Sequence, residues 1–216
     1  MGNTRAINFI YIRGYCRLIF LSLQHYTFIV IMEMKRLLLI IDPQIDFISG
    51  TLPVPNAEEA MKNLAEYVRE HGNEYAEIVA TTDWHPYNHL SFAPQGGPWP
   101  VHCVQHSVGA AIYEPLLVAC NTAGKAFKVL EKGNSADREE YSIMQNMESK
   151  ALLDEIIRSN EITEIHLCGL AGNICVLNTL KDMVATYGKD MFRVLTEYSP
   201  SLDDGSELRL YLESLH

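Results

Sequence analysis

IHLCGLAGNICVLNTL, residues Ile165–Leu180, begins as a short apolar strand, breaks at Gly169 and Gly172, and resumes as a helix from about Cys175. Val176, Leu177, Leu180, Met183 and Val184 continue the helix at its own period. A cysteine therefore sits at the mouth of a strand-to-helix turn. Unpaired N–H groups and the positive end of the helix dipole favour a thiolate there, and two glycines let the backbone come close to a substrate. Taken alone, the stretch suits a buried structural cysteine better than a nucleophile, since free cysteine is among the most buried residue types. The functional reading needs partners from elsewhere in the chain.

Working outward, the same rhythm repeats. Leu37–Ile41 is a continuous apolar run ending at Asp42, as expected of a strand buried on both faces. Residues 57–71 read as a helix, with Met61, Leu64, Ala65 and Val68 on one face and Gly72 as its stop. A strand over Ile78–Thr82 ends at Asp83, and Phe127–Leu130 is a strand ending near Lys132. A helix over Ser149–Arg158 leads into the strand before Cys175, Phe192–Leu195 is a fifth strand, and 203–216 is a closing helix. Residues 109–119 also read as helical. Strands alternating with helices predict a three-layer, doubly wound α/β fold, with a parallel sheet and helices on both faces. Such sheets bind ligands at the carboxyl ends of their strands, where Asp42, Asp83, Lys132 and Cys175 all fall.

Composition narrows the function. The chain has 216 residues, 48% hydrophobic and 20% charged, which fits one globular domain with a sizeable core. A formal charge of −10, with no lysine or arginine cluster outside the amino terminus, argues against the basic face that nucleic acid requires. Small molecules are the expected partners, with no nucleic acid, no membrane, and a homo-oligomer left open. Five cysteines without a CxxC pair do not describe a disulfide framework, so a reducing, cytoplasmic setting is expected.

Residues 1–33 differ in kind from the rest. They hold Arg5, Arg13 and Arg17 against one acidic residue, Glu33, and are rich in aromatic and β-branched residues without strand alternation. The apolar region 18–32 is interrupted by Gln24 and His25, lacks a small-residue cleavage site, and is short for a membrane span. These residues are read as an upstream extension, with Met32 or Met34 as the functional start and residues 34–216 as the domain.

A cysteine with an ordinary thiol pKa needs a base or a neighbouring cation. Asp42 can supply the first and Lys132 the second. The loop Trp84–Gln105 carries a second constellation: Asp83 and His85 in a DxH arrangement, His102 further on, and His89 close by. One carboxylate and two imidazoles suit zinc, iron or manganese with positions left open. Four prolines, three histidines and two tryptophans in this loop point to function rather than disorder.

The blocks IIDPQIDF, TTDWHPYNHLSF, WPVHCVQHSVGA, EKG and GLAGNICV, in this order, resemble the isochorismatase-like cysteine hydrolase superfamily and, within it, the nicotinamidase family. The resemblance covers about residues 34–202. It implies hydrolysis of nicotinamide through a cysteine thioester, with Asp42, rather than the nearby Asp46, as catalytic aspartate, Lys132 as catalytic lysine and Cys175 as nucleophile. It further implies Asp83, His85 and His102 as ligands of one divalent metal, zinc above iron or manganese, with His89 as a further candidate. Phe47 and Trp99 match aromatic positions lining the pyridine pocket. The N–H groups of Ala171 and Cys175 match an oxyanion hole beside a cis peptide. Two departures stand out. Where the family often reads GLATDYCV, this chain has Gly172, Asn173 and Ile174, which reshapes one pocket wall. The family sheet commonly ends in a sixth strand after the last helix, so five or six strands are expected. A carbamoyl or ureido amidase is the alternative within the superfamily, and the histidine loop weighs against it. Isochorismatase proper lacks the cysteine, and an intact Asp, Lys and Cys set argues against a non-catalytic binding module.

Overall fold

The computed structural model describes the backbone of residues 15–23 and 26–215 and the side chains of residues 34–215. It opens with an antiparallel pair, β1 (Tyr15–Leu23) and β2 (Tyr26–Glu33), where the sequence pattern predicts no strand. β-branched and aromatic content is enough to form the ladder without alternation. The segment with Arg5 and Arg13, and the side chains of the extension as a whole, lie outside the described residues.

A second sheet contains β3 (Arg36–Ile41), β4 (Glu77–Asp83), β5 (Phe127–Lys132), β6 (Glu164–Gly169) and β7 (Phe192–Val194), in the order β5-β4-β3-β6-β7. Every pairing in it is parallel. Among the described residues the parallel sheet thus has five strands. Side chains alternate across a strand, and β3 shows the result. Leu38 and Ile40 pack with α2 (Ala57–His71) and α3 (Glu114–Thr122) on one face, after the single turn α1 (Ile45–Ile48). Leu37, Leu39 and Ile41 pack with α4 (Met147–Ser159), α5 (Leu177–Tyr187) and α6 (Ser206–Ser214) on the other. The chain leaves central β3 toward β5, then crosses back to β6. That reversal opens a crevice between the carboxyl ends of β3 and β6, where Asp42 and the turn bearing Cys175 emerge.

Three element boundaries differ from the sequence pattern. The expected helix over 109–119 starts only at Glu114, with Pro115 in its first turn. Residues before it form a turn followed by an isolated bridge between Ile112 and Gln44 instead, and the carbonyls of Gly109 and Ala111 accept the Asp46 and Ile45 N–H groups at 2.9 Å. The closing helix starts at Ser206, after a turn in which Asp203 accepts the Gly205 and Glu207 N–H groups at 3.0 and 3.2 Å. Cys175 lies in a π turn, Gly172–Val176, and the α-helix proper begins one residue later. The wider turn is braced from outside. Gly172 N–H donates to the Pro200 carbonyl at 2.8 Å, and Asn173 Oδ1 accepts the Leu202 N–H at 2.9 Å. A Cβ on Gly172 would sit 2.4 Å from the Ser199 carbonyl oxygen, so only glycine admits this approach.

Candidate active site

Three strand ends and the π turn converge on one ammonium. Lys132, last residue of β5, is fully buried, and its Nζ lies 2.9 Å from Asp42 Oδ2 and 3.5 Å from Cys175 Sγ. It also donates to Asp83 Oδ1, its direct register partner at the end of β4. Asp42 is completely buried just beyond β3, with a left-handed φ of 45°. Aspartate tolerates that region better than most side chains. Its Oδ1 accepts the Thr81 hydroxyl at 2.6 Å. Carboxylate atoms of Asp42 and Asp83 and the Cys175 sulfur all lie within 4.8 Å of one another. Residues distant in sequence thus meet, as the strand-end argument expects.

The electrostatics follow from burial. Burial alone would strip Lys132 of its proton, but Asp42, Asp83 and Cys175 hold its pKa well above the ordinary lysine value. Burial raises the Cys175 thiol far above its usual range, against the pull of Lys132. Burial also raises Asp42, with Lys132 opposing. The resting proton accordingly sits on sulfur, facing a carboxylate. Although burial works against it, Asp83 is held well below the carboxylate range by Lys132, His85 and His102. Two carboxylates against one ammonium leave an uncompensated negative charge in a buried site, which is costly unless a further cation joins.

Asp83, His85 and His102 are in position to hold that cation. All three are buried, with ligating atoms within 4.8 Å of one another. The Nδ1 of His85 pairs with the Gly133 carbonyl at 2.9 Å, and that of His102 with the Pro100 carbonyl at 2.8 Å. Carbonyls only accept, so both rings donate from Nδ1 and leave Nε2 as the nitrogen a metal can take, as in metal-ligating histidines. His85 Nε2 faces Asp83 Oδ2 at 3.6 Å. Burial lowers the pKa of His102 and keeps its ring neutral. The donor set fits a divalent metal. His89 is outside these three but groups with His85 and Glu139, ligating atoms again within 4.8 Å; it stacks on His85 with ring centroids 4.1 Å apart, while its Nε2 faces the Arg138 carbonyl at 3.0 Å and its Nδ1 pairs with the Ser91 hydroxyl at 2.6 Å.

A cavity of about 380 Å³, open mouth included, joins the two halves of the site. Asp83 and His102 lie in its wall together with Cys175 and Ala171. Phe47 and Trp99, the expected aromatic residues, also line it. The Leu170–Ala171 peptide is cis, and no group among the described residues accepts the Ala171 N–H. Ile174, the expected altered wall position, lines it too, while Glu139, Tyr141 and Leu202 belong to the same lining and escape a reading by motif. Tyr141 accepts the Trp99 indole N–H at 3.1 Å. Gln44 was also silent in the sequence: fully buried, it donates to the Asp83 and Ala110 carbonyls and accepts the Asp83 N–H at 2.8 Å. Asp46 is occupied structurally, accepting N–H groups from Cys103 at 2.7 Å and Thr51 at 3.1 Å. Cys103, Cys120, Cys168 and Cys175 are free thiols.

Residues 36–187 match the family model of the Isochorismatase domain, and the chain belongs to that family. Its curated relatives include several nicotinamidases. The nicotinamidase of Escherichia coli is 34% identical over 168 residues, covering 68% of this chain and 75% of the relative. That of Saccharomyces cerevisiae is 28% identical over 201 residues, covering 80% and 91%. The crystal structure of the pyrazinamidase of Pyrococcus horikoshii in complex with zinc superposes with a TM-score of 0.69 at 32% identity, covering 84% of this chain and 94% of that one.

Proposed function

We propose that this chain is a nicotinamidase that hydrolyses nicotinamide to nicotinate and ammonia through a thioester on Cys175, in NAD salvage. The observation that carries the reading is the buried contact of Lys132 Nζ with both Asp42 Oδ2, at 2.9 Å, and Cys175 Sγ, at 3.5 Å, beside a cavity lined by Phe47 and Trp99. Asp42 takes the thiol proton as sulfur attacks the carboxamide carbon. The N–H groups of Ala171 and Cys175 hold the developing oxyanion, each worth roughly 3–4 kcal/mol in comparable sites. Lys132 offsets the negative charge shared by sulfur and carboxylate. As the C–N bond breaks, Asp42 returns its proton to the departing amine, giving ammonia and a nicotinoyl thioester. Asp42 then draws a proton from water as the oxygen attacks the thioester carbon, and the released thiolate is reprotonated. Phe47 and Trp99 flank the ring.

Asp83, His85 and His102 would hold one divalent ion, zinc in our reading. Such an ion, when bound, supplies a Lewis-acidic anchor for the pyridine nitrogen. We assign catalysis to residues 34–216 and treat residues 1–33 as an extension. A reducing cytoplasm would keep Cys175 a thiol, and among the described residues no helix is long and apolar enough to cross a membrane. The test is Cys175→Ala: ammonia release from nicotinamide should fall by on the order of 10⁴-fold or more, while nicotinamide still binds. Substantial turnover by that variant would defeat the assignment.

A further inference from the structure

Glu140 is a carboxylate with no exposed surface, and the chemistry above makes no use of it. Its Oε2 accepts the Gly133 N–H at 2.8 Å and the Asn146 side-chain amide at 2.9 Å, while Oε1 faces Arg138 Nη2 at 2.7 Å. The peptide that donates the first of these bonds joins Lys132 to Gly133. Its other end is also held, because the Lys132 carbonyl accepts the Trp84 N–H at 2.9 Å. One residue on, the Gly133 carbonyl receives His85 Nδ1 at 2.9 Å. Gly133 has a φ of 66°, and a Cβ there would meet His85 Cε1 at 2.4 Å, so backbone and ring are closely fitted. Asn146 ties the carboxylate in turn to α4, since its Oδ1 caps the Ser149 N–H at 3.1 Å.

We propose that Glu140 is a positioning residue that clamps the Lys132–Gly133 peptide and thereby fixes both the Lys132 ammonium and the His85 ring. A carboxylate buried this completely is costly unless its hydrogen bonds are made, and the two made by Oε2 hold a loop against a helix start. The turn after β5 would otherwise depend on a glycine, the residue with the most backbone freedom. Histidine ligands owe their affinity partly to the group that orients the far ring nitrogen. Here that group is a carbonyl, and Glu140 holds the residue that bears it.

The inference rests on the metal assignment in the proposed function, and it is tested without substrate. Zinc affinity of the full chain is measured by competition with a chromophoric chelator, alongside thermal melts of the metal-free protein. Glu140→Gln can place its carbonyl oxygen where Oε2 sits, keeping both bonds, and should bind zinc within about threefold of wild type. Glu140→Met keeps the length without the acceptor and should lose about 10–100-fold. Tyr75→Phe, which removes a buried hydroxyl bonded to His166 at 2.7 Å on the other side of the sheet, controls for simple destabilisation and should leave zinc affinity unchanged. Equal zinc affinity in Glu140→Met and Glu140→Gln overturns the proposal, as does an equal loss in Tyr75→Phe. Should Glu140→Met not fold, a loss beyond tenfold in folded Glu140→Gln overturns it and retention supports it. At saturating zinc Glu140→Met should still turn over nicotinamide more slowly than wild type; full recovery overturns the Lys132 half of the assignment. A chain that bound zinc in this pattern but released no ammonia would refute the proposed function and leave this inference intact.

Discussion

Strands β4 and β5 carry two lysine–carboxylate pairs at their opposite ends. Lys128 reaches Glu77 at the amino end, and Lys132 reaches Asp83 at the carboxyl end. The same ladder supplies both, yet the lysine side chains are 48% and 1% exposed. Lys128 keeps its charge in water and has one partner. Lys132 has left water altogether and touches two carboxylates and a thiol. Moving an ammonium into a protein interior costs several kcal/mol even after relaxation, a cost that stability alone does not explain when an outward-facing lysine on the same strand makes a pair without it. The difference lies in what surrounds each pair: a cavity, a nucleophile and a set of possible metal ligands at one end, solvent at the other.

Breaking the buried pair should have the largest effect. Lys132→Met leaves Asp42 and Asp83 facing each other unpaired, and should cost about 3–5 kcal/mol in chemical denaturation and on the order of 10³-fold in kcat for ammonia release. Retained turnover would reduce Lys132 to a packing element. The pH profile comes next. The reaction needs Asp42 ionised, and burial raises its pKa above the ordinary 3.8. Activity should therefore fall tenfold per pH unit below a limb lying above 3.8. A limb at or below that value would mean that Asp42 is not the base. Gly172→Ala drives a methyl into the Ser199 carbonyl and should cost about 1–3 kcal/mol, with a change in KM because Leu202, part of the same braced segment, lines the cavity. Lys128→Met should have the smallest catalytic effect. It leaves Glu77 unpaired and costs about 1–3 kcal/mol of stability with kcat unchanged, so a catalytic loss there would erase the contrast between the two ends.

Legibility in the sequence follows the same division. Asp42, Asp83 and Lys132 lie at the ends of strand-like segments, so a parallel-sheet pattern places them at one edge, and the helix over 57–71 was also readable. The strand and its glycine break marked Cys175, but the π turn did not show, because it depends on Ser199–Leu202, a contact between segments far apart in sequence. Helical periodicity misled over 109–119, where Pro115 was the better signal and backbone pairing with Ile45 and Asp46 won. Glu139, Glu140, Tyr141 and Leu202 come from loops that carry no period, so nothing local separates them from solvated neighbours. Their roles exist only once the sheet has brought the loops together.

The central claim is a covalent bond between Cys175 and the acyl group of the substrate. Zinc-loaded protein mixed with excess nicotinamide, quenched in acid during turnover and examined by intact mass and peptide mapping, should show a nicotinoyl group on Cys175. That adduct should be absent from Cys175→Ala. Ammonia release at full rate with no acyl adduct in slowed-deacylation conditions, or an adduct on any other residue, would contradict it.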